Sequence, residues 1–303
     1  MNHLITILGP TATGKTSLAA ELAALIGGEI ISADSRQVYR GMDLGTGKDL
    51  DDYVIDGRQI PFHLIDIHDP GYEYNIFEFQ SDFYEAHHSI ENNGNIPILC
   101  GGSGMYLDSI LRAYQMKEAP LNKKLREELV GLSPNQLIDR LKMVSSLHNT
   151  TDITLPDRLI RAIEIAEAEN SSKMHYDYLK GLRSINFGIL FERQQIRERI
   201  TERLTNRLEE GMVDEVKNLL EKGFTEEQLT FYGLEYKYLT MQVVGKISWD
   251  EMFEKLNIAI HQFAKRQMTW FRRMEKKGVH INWVDGNLTN EEKISVILQK
   301  LPK

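Results

Sequence analysis

Leu4-Ile5-Thr6-Ile7-Leu8-Gly9-Pro10-Thr11-Ala12-Thr13-Gly14-Lys15-Thr16-Ser17-Leu18-Ala19-Ala20-Glu21-Leu22 reads as a strand, a loop and a helix, in that order. LITIL is an apolar run of strand length, and the stretch after Lys15 is rich in strong helix formers. Between them GPTATGKT, residues 9–16, satisfies G-x-x-x-x-G-K-[ST] in full. Gly9 and Gly14 allow backbone N–H groups to curl around phosphate oxygens, with Pro10, Thr11, Ala12 and Thr13 forming the loop between them. The helix beginning near Lys15 adds its positive N-terminal end. Lys15 brings a mobile cation, and the Thr16 hydroxyl can ligate Mg²⁺. A glycine turn that binds nothing is the competing reading, but a complete motif set between strand and helix speaks against it. The loop indicates a diphosphate or triphosphate; it does not indicate the reaction.

Reading outward, EIISA near Ile30 is a second strand, FHLIDI (62–67) a third and IPILCG (96–101) a fourth. An amphipathic helical stretch, IFEFQSDFYEAHHSIENNG, lies between the last two. This alternation implies an α/β fold of the P-loop NTPase type, a parallel sheet with helices on both faces. From Ala113 the period becomes helical through KKLREELVGL, NQLIDRLKMV and PDRLIRAIEIAEAE. INFGILFE (185–192) returns as a strand, and VHINWV (279–284) is a final one. The expected organisation is a core of residues 1–112 and 185–303 interrupted by an all-helical insertion, 113–184.

Composition narrows the class. Of 303 residues, 42% are hydrophobic and 26% charged, as in soluble globular chains. No apolar run approaches the roughly 18 residues of a membrane helix. No basic n-region precedes the first strand, so no signal peptide is expected, and the expected location is the cytoplasm. Cys100 is the sole cysteine, which rules out a disulfide within the chain and argues against a cysteine-based zinc site. In the run IPILCGG it reads as a small buried side chain. A net charge of -8 opposes nucleic-acid binding on average. Local patches differ: acid gathers at Asp49, Asp51, Asp52 and Asp56. Base gathers at Arg193, Arg197, Arg199, Arg203 and Arg207, and again at Lys265, Arg266, Arg272, Arg273, Lys276 and Lys277.

The second strand runs into Asp34, and strand ends beside a phosphate loop face the ligand crevice. Asp34 is therefore either a catalytic carboxylate or a cap and ion-pair partner; spacing leaves both open. Asp66, after the third strand, is only a weak match to a metal-binding carboxylate of an ATPase. No guanine-reading N-K-x-D is present.

The segments GPTATGKT (9–16), ISADSRQVYRGMDLGTGK (31–48), HLIDIHDP (63–70), GGSGMYL (101–107), RLIRAIEI (158–165) and KRQMTWFR (265–272) follow one another in an order that resembles the bacterial tRNA dimethylallyltransferases of the IPP transferase family. The resemblance spans essentially the whole chain. It implies transfer of a dimethylallyl group from dimethylallyl diphosphate to N6 of the adenine 3′ of the anticodon, in tRNAs reading codons that begin with U. It implies Mg²⁺ as cofactor and the anticodon stem-loop as partner; a monomer without a membrane partner is expected. By the same resemblance, residues 9–16 bind the donor diphosphate, Asp34 is the base that takes the N6 proton, and Lys15, Ser103 and Arg203 are catalytic. Ser103 stands where the family usually has Thr. Asp34, Ser35, Arg36, Gln37, Ser103, Asp157, Arg158, Arg161, Gly233, Lys265, Arg266, Gln267, Trp270 and Arg272 would contact tRNA. For Arg158 and Arg161, three apart on one helix face, a surface ion-pair role competes. For Arg199 a solvated helix face is expected. For KRQMTWFR an amphipathic core helix with Met268 and Phe271 buried is compatible with RNA contact on another face.

The chain departs from the family in places. Phe62 replaces the first His of H-H-L-I-D, and Arg207 stands where Met is usual. Phe231-Tyr232-Gly233-Leu234-Glu235-Tyr236 fits the family's weaker G-Y-[KR]-[EQ] region. AENSSKMHY replaces a Gly-Lys-Pro after RAIEI, and the zinc finger of eukaryotic relatives is absent. The rival readings are a small-molecule kinase, prenylation of free AMP, and a non-catalytic RNA-binding module.

Overall fold

The computed structural model describes residues 3–116, 119, 121–144, 156–168 and 173–302. The chain divides into two compact units, Met1–Arg112 with Leu179–Lys303, and Ala113–Tyr178.

The larger unit is built on strands β1 (His3–Leu8), β2 (Gly28–Ala33), β3 (Val54–Ile55), β4 (Arg58–Gln59), β5 (Phe62–His63), β6 (Ile96–Gly101), β7 (Arg183–Leu190) and β8 (Ile281–Asp285). Six of them form a parallel sheet in the order β5-β2-β6-β1-β7-β8. β1 lies inside it and is buried on both faces. Ile5 and Ile7 join a core with Leu18, Leu22 and Ala23 of helix α1 (Lys15–Ile26), while Leu4, Thr6 and Leu8, which alternate with them along the strand, are also buried. Such two-sided burial is why these strands read as continuous apolar runs. Helix α2 (Ile76–Asn92) begins with a capping box from Asn75 and Glu78. It buries Phe79, Phe83 and Ile90. The P-loop-like parallel architecture expected from the sequence is the one observed.

The third strand is shorter than expected. Only Phe62 and His63 pair with β2, because Leu64 and Asp66 take left-handed backbone (φ 63° and 53°) and turn the chain off the sheet. The rest of HLIDIHDP runs beside the loop after β2. Asp66 N donates to Gln37 O at 3.0 Å, and His68 N to Val38 O at 2.9 Å. The β3–β4 hairpin was not anticipated; its turn is Asp56-Gly57, both with positive φ, a pair favoured in tight hairpins.

Helix α3 (Gly104–Leu111) follows β6. The second unit contains α4 (Lys123–Leu129), α5 (Pro134–Val144), α6 (Pro156–Glu167) and most of α7 (Lys173–Lys180). The second boundary falls inside α7, ahead of the residue 184/185 junction expected from the sequence. Of AENSSKMHY, residues 169–172 lie outside the described residues. Leu125, Leu129, Leu137, Leu141, Leu159, Ile160 and Ile163 form the unit's own core.

Beside that core Glu164 is buried. It accepts from Arg126 Nε (2.7 Å), Arg126 Nη2 (2.8 Å), Arg161 Nη1 (3.0 Å) and Asn122 N (3.0 Å). Burial works to raise its carboxyl, but the bonds from Arg126, Arg161 and Asn122 outweigh it and hold it at about 2, against an ordinary 4.5. A depressed carboxyl contributes stability above its unfolded value and loses it as pH falls toward the folded one. Amide protection in α4 and α6 is therefore expected to weaken between pH values near 4.5 and 2. Glu164→Gln should remove most of that dependence, as hydrogen exchange on the two proteins would show; parallel profiles would contradict it.

After β7 come α8 (Arg193–Glu209), α9 (Met212–Glu221), α10 (Glu226–Phe231), α11 (Leu234–Val243), the long α12 (Trp249–Lys276) and α13 (Asn290–Lys300). α12 packs on α3, α8 and α11. It thus reaches the ends of the strands where the loops after β1, β2 and β6 emerge.

Candidate active site

Leu8, Ala33 and Gly101, the last residues of β1, β2 and β6, lie in register, so their following loops converge. A Cβ on Gly101 would lie 2.3 Å from Ala33 O, so glycine is required for that approach. Around these ends lies a cavity of about 570 Å³ whose lining includes Lys15, Thr16, Asp34, Ser103, Arg203 and Trp270. This placement at carboxyl ends of parallel strands is the usual ligand position in open α/β sheets.

The phosphate loop is closed by its own bonds. Thr13 Oγ1 donates to Pro10 O at 2.9 Å, and Ala12 and Gly14 adopt left-handed backbone (φ 62° and 72°). No side chain caps α1 at Gly14, which leaves the helix start available to an anion. Lys15 Nζ donates to Pro10 O at 3.3 Å. Burial and the nearby Arg203 guanidinium depress the lysine; Cys100, Asp34 and Asp49 oppose them without prevailing. A bound diphosphate would reverse that balance. Burial pushes the Cys100 thiol up to about 12, so it is a packing group, as its apolar neighbours in sequence suggested.

Asp34 begins the loop after β2. Its Oδ1 accepts from Arg36 N at 2.9 Å, an Asx turn that fixes the carboxylate. Ser103 Oγ accepts from Ser35 N at 3.1 Å, and Ser103 N donates to Ala33 O at 3.2 Å. The hydroxyl at position 103 therefore ties the β6 turn to the Asp34 loop. Gln37 accepts from Ser32 Oγ (2.9 Å) and donates to Gly47 O (3.0 Å). The far part of the loop is held by Glu215, which accepts from Asp43 N (2.8 Å), Leu44 N (2.8 Å), Gly45 N (3.0 Å) and the Tyr236 hydroxyl (2.6 Å). Buried Lys48 bonds Asp66, Asp43 (2.6 Å) and Tyr39 O (2.7 Å). Asp66 is thus a loop anchor, not the ATPase-type carboxylate it weakly matched.

On α8 Arg203 donates to Thr11 Oγ1 (3.1 Å) and Asp49 (2.6 Å), and Arg207 donates to Asp49 (2.6 Å) and Leu44 O (3.1 Å). Burial works to raise Asp49, but the two guanidinium groups outweigh it and hold its carboxyl low. Arg207 is buried and lines the cavity, so the departure from the family's Met adds a second guanidinium there. Arg199 is exposed on α8, as a solvated face requires, and from there its Nε donates to Ala12 O at 2.9 Å while its guanidinium sits 4.6 Å from the Phe191 ring centre. Sequence reasoning missed Asp49 and Glu235 as site groups. Asp49 read as part of an acidic patch; Glu235 lines the cavity with its carboxyl pushed up by burial.

Gln267 of α12 is buried and spans the site. Its Oε1 accepts from Thr11 N (2.9 Å), and its Nε2 donates to Gly102 O (3.0 Å). The phosphate loop is thereby fastened to the β6 turn through one side chain. Gln267→Leu keeps the size and removes both bonds. We expect kcat/KM to fall about tenfold, because small misplacements of reacting groups are costly, with Gln267→Glu falling at least as far: it can still accept from Thr11 N but sets a carboxylate oxygen against Gly102 O and a buried negative charge beside the phosphate loop. Steady-state kinetics with separate variation of donor and acceptor would check this; wild-type values in the Leu variant would contradict it.

Of the other expected contacts, Ser35, Arg36, Gln37, Gly233, Arg266 and Trp270 line the cavity. Lys265 and Arg272 are exposed on α12 and are not among its lining groups. Asp157 and Arg158 are exposed on α6 of the second unit, where Arg161 takes part in the Glu164 ion-pair cluster. Phe271 is buried and Met268 half-buried, so α12 does combine a core face with an exposed basic one.

Comparison with known proteins agrees with this geometry. The family model described as IPP transferase matches residues 37–274, and that described as isopentenyl transferase matches residues 2–69. The chain belongs to the IPP transferase family. It is 54% identical over 298 residues to tRNA dimethylallyltransferase 2 of Bacteroides fragilis, covering 98% of this chain and 97% of that protein. It is 52% identical to tRNA dimethylallyltransferase 1 of Geotalea daltonii, covering 94% and 91%. Among solved structures it resembles the tRNA isopentenylpyrophosphate transferase of Bacillus halodurans (TM-score 0.71, 30% identity, 99% and 95% covered). A eukaryotic dimethylallyltransferase shares the fold at TM-score 0.76 and 22% identity, covering 100% of this chain and 81% of that one.

Proposed function

We propose that this protein transfers a dimethylallyl group from dimethylallyl diphosphate to N6 of the adenine 3′ of the anticodon in tRNAs reading codons that begin with U. The observation that carries the reading is that a phosphate loop and a fixed carboxylate, Asp34, line one cavity. Membership of the IPP transferase family and the names of the relatives support it.

The exocyclic adenine amine is a poor nucleophile. As N6 bonds to the allylic C1, the C1–O bond breaks and its electron pair leaves with diphosphate. The N6–H becomes acidic during that step, and the Asp34 carboxylate takes the proton. Lys15, the loop N–H groups and Arg203 offset the charge growing on the leaving group. Ser103 holds the Asp34 loop in place.

Mg²⁺ fits these residues with the donor's help. Among the described residues no group of three His, Cys, Asp or Glu side chains could hold a metal alone. Magnesium typically takes one or two protein ligands and completes its shell with phosphates and water. Thr16, lining the cavity at the start of α1, would be the protein ligand, and Mg²⁺ would neutralise diphosphate charge.

The target base must leave its stack to reach Asp34, as for other enzymes acting on bases. In a chain of net charge -8, exposed Arg158, Lys265 and Arg272 supply local base for the anticodon stem-loop. No helix among the described residues is long and apolar enough to cross a membrane, and a cytoplasmic monomer fits this substrate.

The test is a three-way acceptor assay with dimethylallyl diphosphate and Mg²⁺: unmodified tRNA, free AMP, and ATP in place of the donor. Prenylated tRNA, with little product on AMP and no γ-phosphate transfer, is expected. Efficient AMP prenylation or rapid ATP turnover without prenyl transfer would overturn the reading.

A further inference from the structure

Two phenylalanine rings stand at the rim of the cavity. Phe231, at the end of α10, is 48% exposed, and Phe263, on α12, is 38% exposed; both belong to the cavity lining. A single exposed apolar ring is ordinary on a protein surface; what distinguishes these two is that both line the same cavity and each has a guanidinium beside it. Phe231 is seated by an edge-on contact with buried Tyr232, ring centres 5.4 Å apart, so it is presented by the fold.

Each ring carries a guanidinium. The Arg36 guanidinium carbon lies 5.0 Å from the Phe231 ring centre, and that of Arg266 lies 5.9 Å from the Phe263 ring centre. Among the described residues neither arginine is in an ion pair, whereas Arg40, Arg203 and Arg207 all are. In an acidic protein, cations left without a carboxylate at a cavity mouth are complementary to an anion from outside. An aromatic face joined to a guanidinium plane is the surface on which unpaired nucleobases stack while the backbone phosphate meets the charge.

Resting on the reading of this cavity as the place where a tRNA adenine is prenylated, we infer that Phe231 with Arg36, and Phe263 with Arg266, are the stacking platforms for the nucleotides flanking that adenine. The physical need is plain. Extruding one base from a loop breaks its stacking with both neighbours, and the rim returns that stacking on protein rings. Stacking is tolerant of base identity, so the rings would supply affinity for the flanking nucleotides, while the choice of adenine on the 5′ side, which codons beginning with U require, would rest on polar groups of the cavity.

The experiment measures affinity of the full chain for a fluorescently labelled anticodon stem-loop, intact or with an abasic residue immediately 5′ or 3′ of the target adenosine. Wild type is compared with Phe231→Ala and Phe263→Ala, and with the Phe→Leu variants as a control for packing. Each Ala variant is expected to bind the intact loop about tenfold more weakly. Salt dependence should be unchanged, because no phosphate contact is lost. Each ring should also be coupled to one flanking position: the abasic penalty seen in wild type disappears in one Ala variant and persists in the other. Unchanged affinity in both Ala variants, or abasic penalties that persist fully in both, would overturn the inference. Dimethylallyl transfer to the intact loop by the wild type is recorded separately. Binding with ring coupling but without transfer would sink the proposed reaction and leave the rim standing as an RNA-binding surface.

Discussion

Lys15→Ala is expected to slow prenyl transfer by about 10²–10³-fold, the usual effect of removing one group that stabilises charge growing in a transition state. The ammonium group is held inside the phosphate loop by Pro10 O, and nothing among the cavity's other cations occupies that place. Arg203 and Arg207 are already committed to Asp49, at 2.6 Å each. Removing Lys15 also relieves a buried cation depressed by desolvation, so thermal stability should not fall along with activity. The sign of the pH effect follows. With its proton held less firmly than an ordinary lysine, Lys15 discharges earlier as pH rises. Donor affinity in the wild type is therefore expected to weaken at alkaline pH before the usual lysine range, and this dependence should vanish in the Ala variant. Single-turnover transfer rates and donor binding across pH would check both parts. An Ala variant with near-normal rate would show that the loop does not hold the leaving group.

Asp34→Asn is expected to lower kcat by about 10²–10⁴-fold, the range contributed by a positioned general base, with tRNA affinity nearly unchanged. Asparagine keeps an oxygen able to accept from Arg36 N, so the Asx turn survives and the loop stays in place. What is lost is the capacity to take the N6 proton. A base acts in the transition state, not in substrate binding, so the loss belongs in kcat. Near-normal kcat in the Asn variant would assign Asp34 to the turn alone.

Much of this site was legible because its chemistry is local in sequence. The phosphate loop lies in one run of eight residues, and strand before and helix after it set its geometry. Asp34 was legible as a strand-end residue, and the family's segments fell in order. The parts that were not legible are those made by distance. Gln267 was expected to touch RNA, yet its bonds to Thr11 and Gly102 join residues far apart in the chain. Asp49 looked like one acid in a cluster, and only the fold brings Arg203 and Arg207 onto it. The third strand was read as longer than it is because Leu64, Ile65 and Ile67 are apolar. Its apolarity serves burial of Leu64 and Ile65 against the core, while two left-handed residues carry the chain away from the sheet. Arg199 does lie on an exposed face, but helical spacing cannot show that the Ala12 carbonyl accepts from it.

The central claim is that donor diphosphate and target adenine meet in the single cavity between Lys15 and Asp34. The most direct measurement incubates the protein with isotopically labelled dimethylallyl diphosphate, Mg²⁺ and tRNA lacking the modification, then digests the tRNA and analyses its nucleosides while counting released diphosphate. The account predicts label in N6-dimethylallyladenosine at the position 3′ of the anticodon, in equal amount to diphosphate released, and loss of both in Lys15→Ala and Asp34→Asn. Diphosphate release without labelled nucleoside, or label that persists in both variants, would contradict it.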